Sequence, residues 1–409
     1  MLTQSLKNGR EWLPKAYLGL MMFMLVWLFW LNHSNQSSSQ TLATFFLLLS
    51  PGLLLFRQPT VPFGQKLFIT SCIAMFIYSL LLFFHYPPSE VAFSTMRGLS
   101  FYLLAPVSIL LLTKISPSLS GFFLLSLVAT LFSLFPVLKE FLSYGMSIRG
   151  DSSAHPIFWG NVCLTTGIVT FVLSRSYKLN IRFKTTLGLI ALCAATTASL
   201  WSLTRGGWLS IPFALFLLST LGLIQKRSVV ILGILLTITF SLSNRLQDRV
   251  TSTFNHFAQG FSLDGSTSVR IQMWAVSLDA LQESPVIGAG LDGFSRQNIV
   301  EKERGNVSFY VDHAHNEYFE ILASRGLLGM SIFLLMIGSL ASTYYKYRHS
   351  IYAKAGLIAL MQYLIYSLSE TFFTTKFTIM YFVVLHSFLL VAMYKEQQNQ
   401  AQEPRVTAV

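Results

Sequence analysis

The residues best suited to chemistry lie in one stretch, Asp312-His313-Ala314-His315-Asn316-Glu317. Apolar sequence follows at once and includes Gly326-Leu327-Leu328-Gly329. His315, Phe319, Leu322, Gly326 and Gly329 recur at steps of 4, 3, 4 and 3, the repeat of one helix face. The spacing predicts a helix capped by Asp312, with His315 in its first turn and the two glycines letting a neighbouring helix approach closely. The positive end of the helix dipole disfavours imidazolium there. A neutral histidine can take a proton from a hydroxyl, and Glu317 or Glu320 is placed to orient it. The plainer alternative is a hydrogen-bonded histidine at a membrane interface. His313 and His315 on an extended backbone could also hold zinc beside Asp312 or Glu317, but such a site needs further ligands. The sequence offers no second His/Cys cluster and no acidic pair on another loop, so no metal and no cofactor is expected.

A base alone does little without something to bind a leaving group. Arg205 in Thr204-Arg205-Gly206-Gly207-Trp208 and Arg270 at the start of a helical stretch are candidate anion clamps. Arginine forks grip phosphate oxygens with two hydrogen bonds and stabilise charge as a bond breaks. The glycines after Arg205 would leave room for a ligand; the bland reading is an interfacial arginine at a helix C-terminus. Arg149 is either a third cation or a loop ion pair with Asp151. His155, before Pro156, begins a span that also holds Gly160 and Asn161, polar groups that fit the lining of a cavity. The combination suits attack of a hydroxyl on an electrophile that carries a diphosphate leaving group.

The elements that must position these groups are membrane helices. Hydrophobic residues make up 53% of the chain and charged residues 11%, against roughly 25% charged in soluble domains. Mean hydropathy is +0.56. We predict an all-α integral membrane protein of about twelve transmembrane helices, near 16–32, 41–56, 67–86, 99–115, 120–138, 155–174, 185–204, 208–224, 228–243, 323–343, 352–369 and 377–394. The first is read as an uncleaved span. Cys72, Cys163 and Cys193 read as small core residues. The chain divides into 1–243 with helices 1–9, a long loop at 244–322, and 323–409 with helices 10–12 and a short tail.

Lysine and arginine gather in alternate loops, for example at Lys7, Arg10, Lys66, Arg175, Lys184, Arg227, Lys346 and Lys354. With the N-terminus inside, both ends are cytoplasmic and the long loop lies outside. The net charge of +12 then reports topology and contact with anionic lipid, not nucleic acid. Within the long loop, Ser266-Thr267-Ser268 offers N-caps, and Ile271, Trp274, Leu278 and Leu281 mark the stripe of an amphipathic helix ending before Pro285. Gly288-Ala289-Gly290-Leu291-Asp292-Gly293 spells GxGxxG without the strand–turn–helix setting of a dinucleotide site, and reads as a flexible turn.

The pattern His315-Asn316, nine residues, Gly326-Leu327-Leu328-Gly329 resembles the O-antigen ligase family. Its superfamily includes O-antigen polymerases and bacterial protein O-oligosaccharyltransferases. Arg205 and Arg270 match the family's arginines after span 7 and in the loop helix; the match around Arg149 and Asn161 is loose. The resemblance implies twelve spans in the bacterial inner membrane and an active site on the periplasmic face. It implies transfer of O-antigen from undecaprenyl diphosphate to a sugar hydroxyl of the lipid A core, with inversion and without ATP or metal. His315 would be the base and Arg205 and Arg270 the diphosphate clamp, with Arg149, His155, His313, Asn316 and Glu317 in support. The alternatives are a repeat-unit polymerase, a protein O-glycosylating enzyme (against which the short C-terminal tail speaks) and a transporter or flippase. A transporter would carry charge at the bilayer midplane, whereas these spans are almost free of it.

Overall fold

The structure, a computed structural model, describes residues 15–27, 36–55, 59–87, 89–115, 119–144, 155–176, 181–241, 247, 251 and 266–402. No strand occurs among them. The helices in chain order are α1 Lys15–Trp27, α2 Gln36–Leu49, α3 Phe63–His85, α4 Glu90–Leu99, α5 Leu104–Ile115, α6 Leu119–Phe132, α7 Leu134–Tyr144, α8 Pro156–Leu173 and α9 Ile181–Trp201. They continue as α10 Arg205–Thr220, α11 Lys226–Ser241, α12 Ser266–Glu283, α13 Gly293–Glu303, α14 Glu317–Lys346, α15 Ile351–Tyr366 and α16 Lys376–Gln402.

Each of the twelve expected apolar segments overlaps a helix among the described residues. Seven helical stretches are long and apolar enough to cross a membrane, and α1, α15 and the stretch around α2 are shorter apolar helices. Helices α4 and α5 form one such stretch, Glu90–Ile115, which starts well before the expected residue 99. Its start is set by Ser89, whose Oγ accepts from the Ala92 N–H at 3.1 Å, with Glu90 in the first turn. The protein is therefore a multi-pass, all-helical membrane protein.

Burial separates the centre from the lipid face. From Phe377 to Met393 every residue of α16 is buried, as is every residue of α8 from Phe158 to Leu173. A helix apolar all round belongs in an interior. Phe382 packs against Phe68 and Phe373, and Tyr363 stacks on Tyr381, so α3, α15 and α16 share one aromatic core. By contrast Phe63, Phe84, Phe135, Phe216 and Leu335 are exposed, as a surface meeting lipid requires. Cys72 and Cys163 lie in the core, but Cys193 is exposed and does not.

Helix α14 is broken at Gly326, where φ is 62° and ψ −163°. A Cβ there would stand 2.5 Å from the Gly288 nitrogen and 2.6 Å from the Val286 oxygen. The break lets the backbone of 285–290 clasp the chain. Ala289 N–H donates to Ala323 O (2.8 Å) and Gly290 N–H to Ser324 O (3.1 Å). On the other side Leu327 N–H reaches Pro285 O (2.9 Å) and Leu328 N–H reaches Val286 O (3.0 Å). The GxGxxG segment is thus a turn, as expected, but two of its own N–H groups, and two carbonyls just before it, pin it to the broken helix. Its glycines at 288 and 290 have φ of +80° and +97°, a region that side chains with a Cβ rarely enter.

Helix α12 lies on the first turns of α14, with Trp274 stacked on Phe319 at 5.3 Å. Its buried face is Met273, Val276, Ser277 and Ala280, while Ile271 and Leu278 of the expected stripe are exposed. Met273 and Val276 fill the contact, Ala280 and Ser277 let the chain approach closely, and the Ser277 hydroxyl donates to Met273 O at 2.9 Å.

Candidate active site

Asn316, and not Asp312, caps α14. Its Oδ1 accepts from Tyr318 N–H (3.0 Å) and Phe319 N–H (3.4 Å). The helix begins at Glu317, so His315 stands outside it and does not share the face of Phe319 and Leu322. The imidazole is therefore not in the first turn of the helix, where the dipole was expected to act on it. The cause is local. His315 has φ of 48°, a left-handed conformation that costs a residue with a Cβ about 1–2 kcal/mol. Neighbouring bonds hold it there. Ala314 N–H donates to Glu320 Oε2 (2.9 Å), Glu317 N–H to Ser367 O (2.9 Å), and Asn316 Nδ2 to Leu368 O (3.1 Å).

Those last two bonds fasten the histidine turn to the loop between α15 and α16, and that loop supplies Glu370. Its carboxylate is 1% exposed, and both oxygens lie within hydrogen-bond distance of His315 Nδ1, at 2.9 and 3.0 Å. His313 Nε2 is 3.7 Å away and Arg270 Nη2 3.6 Å. The two imidazole rings stand 4.3 Å apart. Burial alone would raise the Glu370 pKa; contact with the two histidines overcomes it and lowers the value to about 2. Burial likewise pulls His313 down, and Glu370, Glu320 and Asp312 outweigh it, holding that imidazole above its ordinary value. An ionised Glu370 can only accept, so Nδ1 of His315 must donate. In neutral imidazole the lone pair then sits on Nε2.

Among the described residues the His315 ring hydrogen-bonds to Glu370 and not to Glu317 or Glu320. Glu317 is fully buried and accepts from Phe373 N–H and Thr374 Oγ1, both at 2.7 Å. Arg325, 1% exposed, reaches Thr374 Oγ1 at 2.7 Å and Glu317 Oε1 at 3.7 Å. This closed network fixes the Glu370 loop against α14. Gly329 serves the same end of the bundle: a Cβ there would meet the Tyr78 ring at 3.3 Å, and Tyr78 Oη donates to Arg325 O and Ile287 O.

Arg205 opens α10 and does not close a helix; Thr204 is the N-cap. A cation at the positive end of a helix gains nothing from the dipole, whereas an anion there is favoured by both. The space beside Gly206 and Gly207 is already taken. A Cβ on Gly206 would lie 2.7 Å from Ser369 Oγ, and one on Gly207 2.7 Å from Asn161 Oδ1. The glycines thus bring α10 against α8 and against the residue preceding Glu370, which places Arg205 at the edge of the cluster. Arg270, 26% exposed, comes from α12 and already touches Glu370. His155 is exposed just before Pro156, its ring 5.3 Å from Phe158, which meets Phe372 at 5.2 Å. It borders the site through one aromatic layer. Arg149 lies outside the described residues.

Beside the cluster opens a polar cavity of about 490 Å³, lined among others by Glu90, Ser94, Asp312, His313, Thr371 and Lys376. Glu370 was not singled out from sequence, yet it is the only charged residue between Lys354 and Lys376. A lone charge in apolar sequence is the available signal. The same holds for Arg325. The ligand set judged incomplete from sequence gains a third member in Glu370, since donor atoms of His313, His315 and Glu370 all lie within 4.8 Å of one another.

Fold and site together define a multi-pass membrane protein with a histidine–carboxylate pair and arginines gathered at one end of its bundle. Residues 188–334 match the family model described as O-antigen ligase. That segment, which holds Arg205, Arg270, His315, Gly326 and Gly329 but not Glu370, is similar to the O-antigen ligase family, in keeping with the histidine–glycine pattern. Members of this family are glycosyltransferase-like enzymes. The chain is similar to an uncharacterized protein of Haemophilus influenzae, 24% identical over 255 residues, covering 56% of this chain and 63% of the relative. It is also similar to the exopolysaccharide production protein ExoQ of Rhizobium meliloti, 27% identical over 82 residues and 19% of each chain. The chain thus spans less than two thirds of either relative.

Proposed function

We propose that the protein transfers O-antigen polysaccharide from undecaprenyl diphosphate to a sugar hydroxyl of the lipid A core, at the periplasmic face of the inner membrane. One observation carries the reading: His315 Nδ1 lies 2.9 Å from the buried carboxylate of Glu370, which Arg270 also faces at 3.6 Å, and this leaves Nε2 to act as the base. Glu370 fixes the tautomer and offsets the charge that the ring gains on taking a proton. Arg205 and Arg270 bind the diphosphate, and Arg270 can pivot from Glu370 to it. The acceptor sugar enters through the polar cavity next to His313, whose carboxylates and hydroxyls suit a polyhydroxylated ligand.

In the reaction His315 Nε2 takes the proton of the acceptor hydroxyl. The hydroxyl oxygen attacks the anomeric carbon of the first sugar from the face opposite the diphosphate. The new glycosidic bond forms as the bond to phosphate oxygen breaks, and undecaprenyl diphosphate leaves on the arginines. Inversion follows from that geometry. The energy is stored in the donor, so neither ATP nor a metal is required.

A second reading, extension of a polysaccharide by repeat units, draws support from the similarity to ExoQ. Electrophoresis of lipopolysaccharide from a deletion strain separates them. A ligase defect leaves the core bare with polymer on the lipid carrier; a polymerase defect leaves the core with a single repeat. Complementation by His315→Ala should fail to restore the ladder while the protein still inserts in the membrane. A normal ladder from that variant would exclude His315 as the base.

A further inference from the structure

We propose that His313, His315 and Glu370 form a binding site for a zinc-type divalent metal ion, and that the bound ion blocks transfer. The second half rests on the transferase reading above; the first does not. Zinc binds histidine nitrogen at about 2.0–2.1 Å and carboxylate oxygen at about 2.0–2.2 Å in a tetrahedron, which sets neighbouring ligand atoms about 3.3 Å apart. Here His315 Nδ1 stands 2.9 Å from Glu370 Oε1, His313 Nε2 3.7 Å from Oε2, and the three ligand atoms fall within 4.8 Å of one another. Closing the widest of the three separations to about 3.3 Å takes a movement of up to about 1.5 Å, within reach of side-chain rotation at the partly exposed His313 and His315.

The ligands come from two segments that are already fixed. Glu320 holds Ala314 between the histidines, and the bonds from Asn316 and Glu317 to the 367–368 backbone hold the Glu370 loop. His313 is 38% exposed and lines the polar cavity, so an ion has a way in and a fourth position for water. Arg270 faces Oε1, and Oε2 stays available. Two imidazoles with one carboxylate favour zinc, cobalt or nickel over magnesium or calcium, which take oxygen ligands.

The block follows from the single lone pair of neutral imidazole. An ion on Nδ1 uses that pair and displaces the bond to Glu370. The ring hydrogen then sits on Nε2, which can no longer accept a proton from a hydroxyl. Metal binding and base catalysis are therefore exclusive at His315.

The test uses the full chain, purified in detergent and stripped of metal, titrated with Co²⁺ and read by visible absorption. One equivalent should bind with the bands of a low-coordinate site, and Zn²⁺ should displace it. His313→Ala should weaken Co²⁺ at least tenfold in a titration run at alkaline pH, where the variant remains a single folded species. His313→Gln, which keeps the bulk, should do the same. Added Zn²⁺ should inhibit transfer of lipid-linked glycan over its displacement range, and a chelator should restore the rate. Absence of the Co²⁺ bands, or equal affinity in wild type and both His313 variants, would overturn the site. Full transfer by the zinc-saturated protein would overturn the block. Metal binding by a protein that transfers no glycan would uphold the site and count against the transferase reading instead.

Discussion

Two charge clusters sit side by side where α14 begins, and they differ in one respect. In the first, Glu317 and Arg325 are both buried, and Thr374, Phe373 N–H and Ser324 take up their remaining bonds. In the second, Glu370 is just as buried, but its partners Arg270, His313 and His315 are partly exposed and open to a polar cavity. A network whose two charged members are both buried spends its bonds on the protein itself and holds the fold, with only Thr374 reaching the cavity. An open one keeps donors and a lone pair for something that arrives. The comparison separates structural from functional charge where residue type cannot, since both clusters pair a glutamate with an arginine.

The contrast predicts opposite signatures for substitutions only a few residues apart. The largest effect should come from His315→Ala: loss of a general base costs roughly 10²–10⁴-fold in rate, with the melting temperature little changed. Arg325→Ala should do the reverse. It leaves Glu317 buried without its cation, at about 3–5 kcal/mol, read as a lower melting temperature and poor yield in detergent. Gly326→Ala forces a Cβ onto the 286–288 backbone at a φ of 62° and should destabilise by more than about 1 kcal/mol. An Arg325→Ala protein of normal stability and no activity would break the comparison.

The smallest effect concerns pH. Glu370 is held down at about 2, below its ordinary value of 4.5, so its stabilising contribution is present above about pH 4.5 and is lost only as pH falls through about 2. His313 is held above 6.5. Its contribution is complete below about 6.5 and fades as pH rises through the raised value. The melting temperature of His313→Gln should therefore approach that of wild type at alkaline pH and lag behind it near pH 6. A gap that widened with pH would contradict the pairing with Glu370.

How much of this was legible in the sequence depends on range. The apolar runs gave the twelve helical segments because membrane helices need long apolar stretches, and that signal is local. The His315–Gly329 pattern pointed to the right end of the bundle. It misplaced the helix start because Asn316, two residues from the next helical N–H, caps better than Asp312, and because His315 takes a left-handed turn. Ile271 and Leu278 misled for another reason: next to a membrane, size does not say which face is buried. Glu370 lies 55 residues from His315, and no local pattern links them. Only the loop between α15 and α16, tied down by Asn316 and Glu317, brings them together.

In the proposed reaction Glu370 sets the tautomer of the base. Transfer from a purified lipid-linked donor to core-bearing acceptor, measured for Glu370→Gln against wild type in the same detergent, tests it most directly. An amide can donate to Nδ1 and move the ring hydrogen to Nε2, so the rate should fall about 10²-fold or more while the melting temperature stays close to wild type. A wild-type rate from Glu370→Gln would contradict the account.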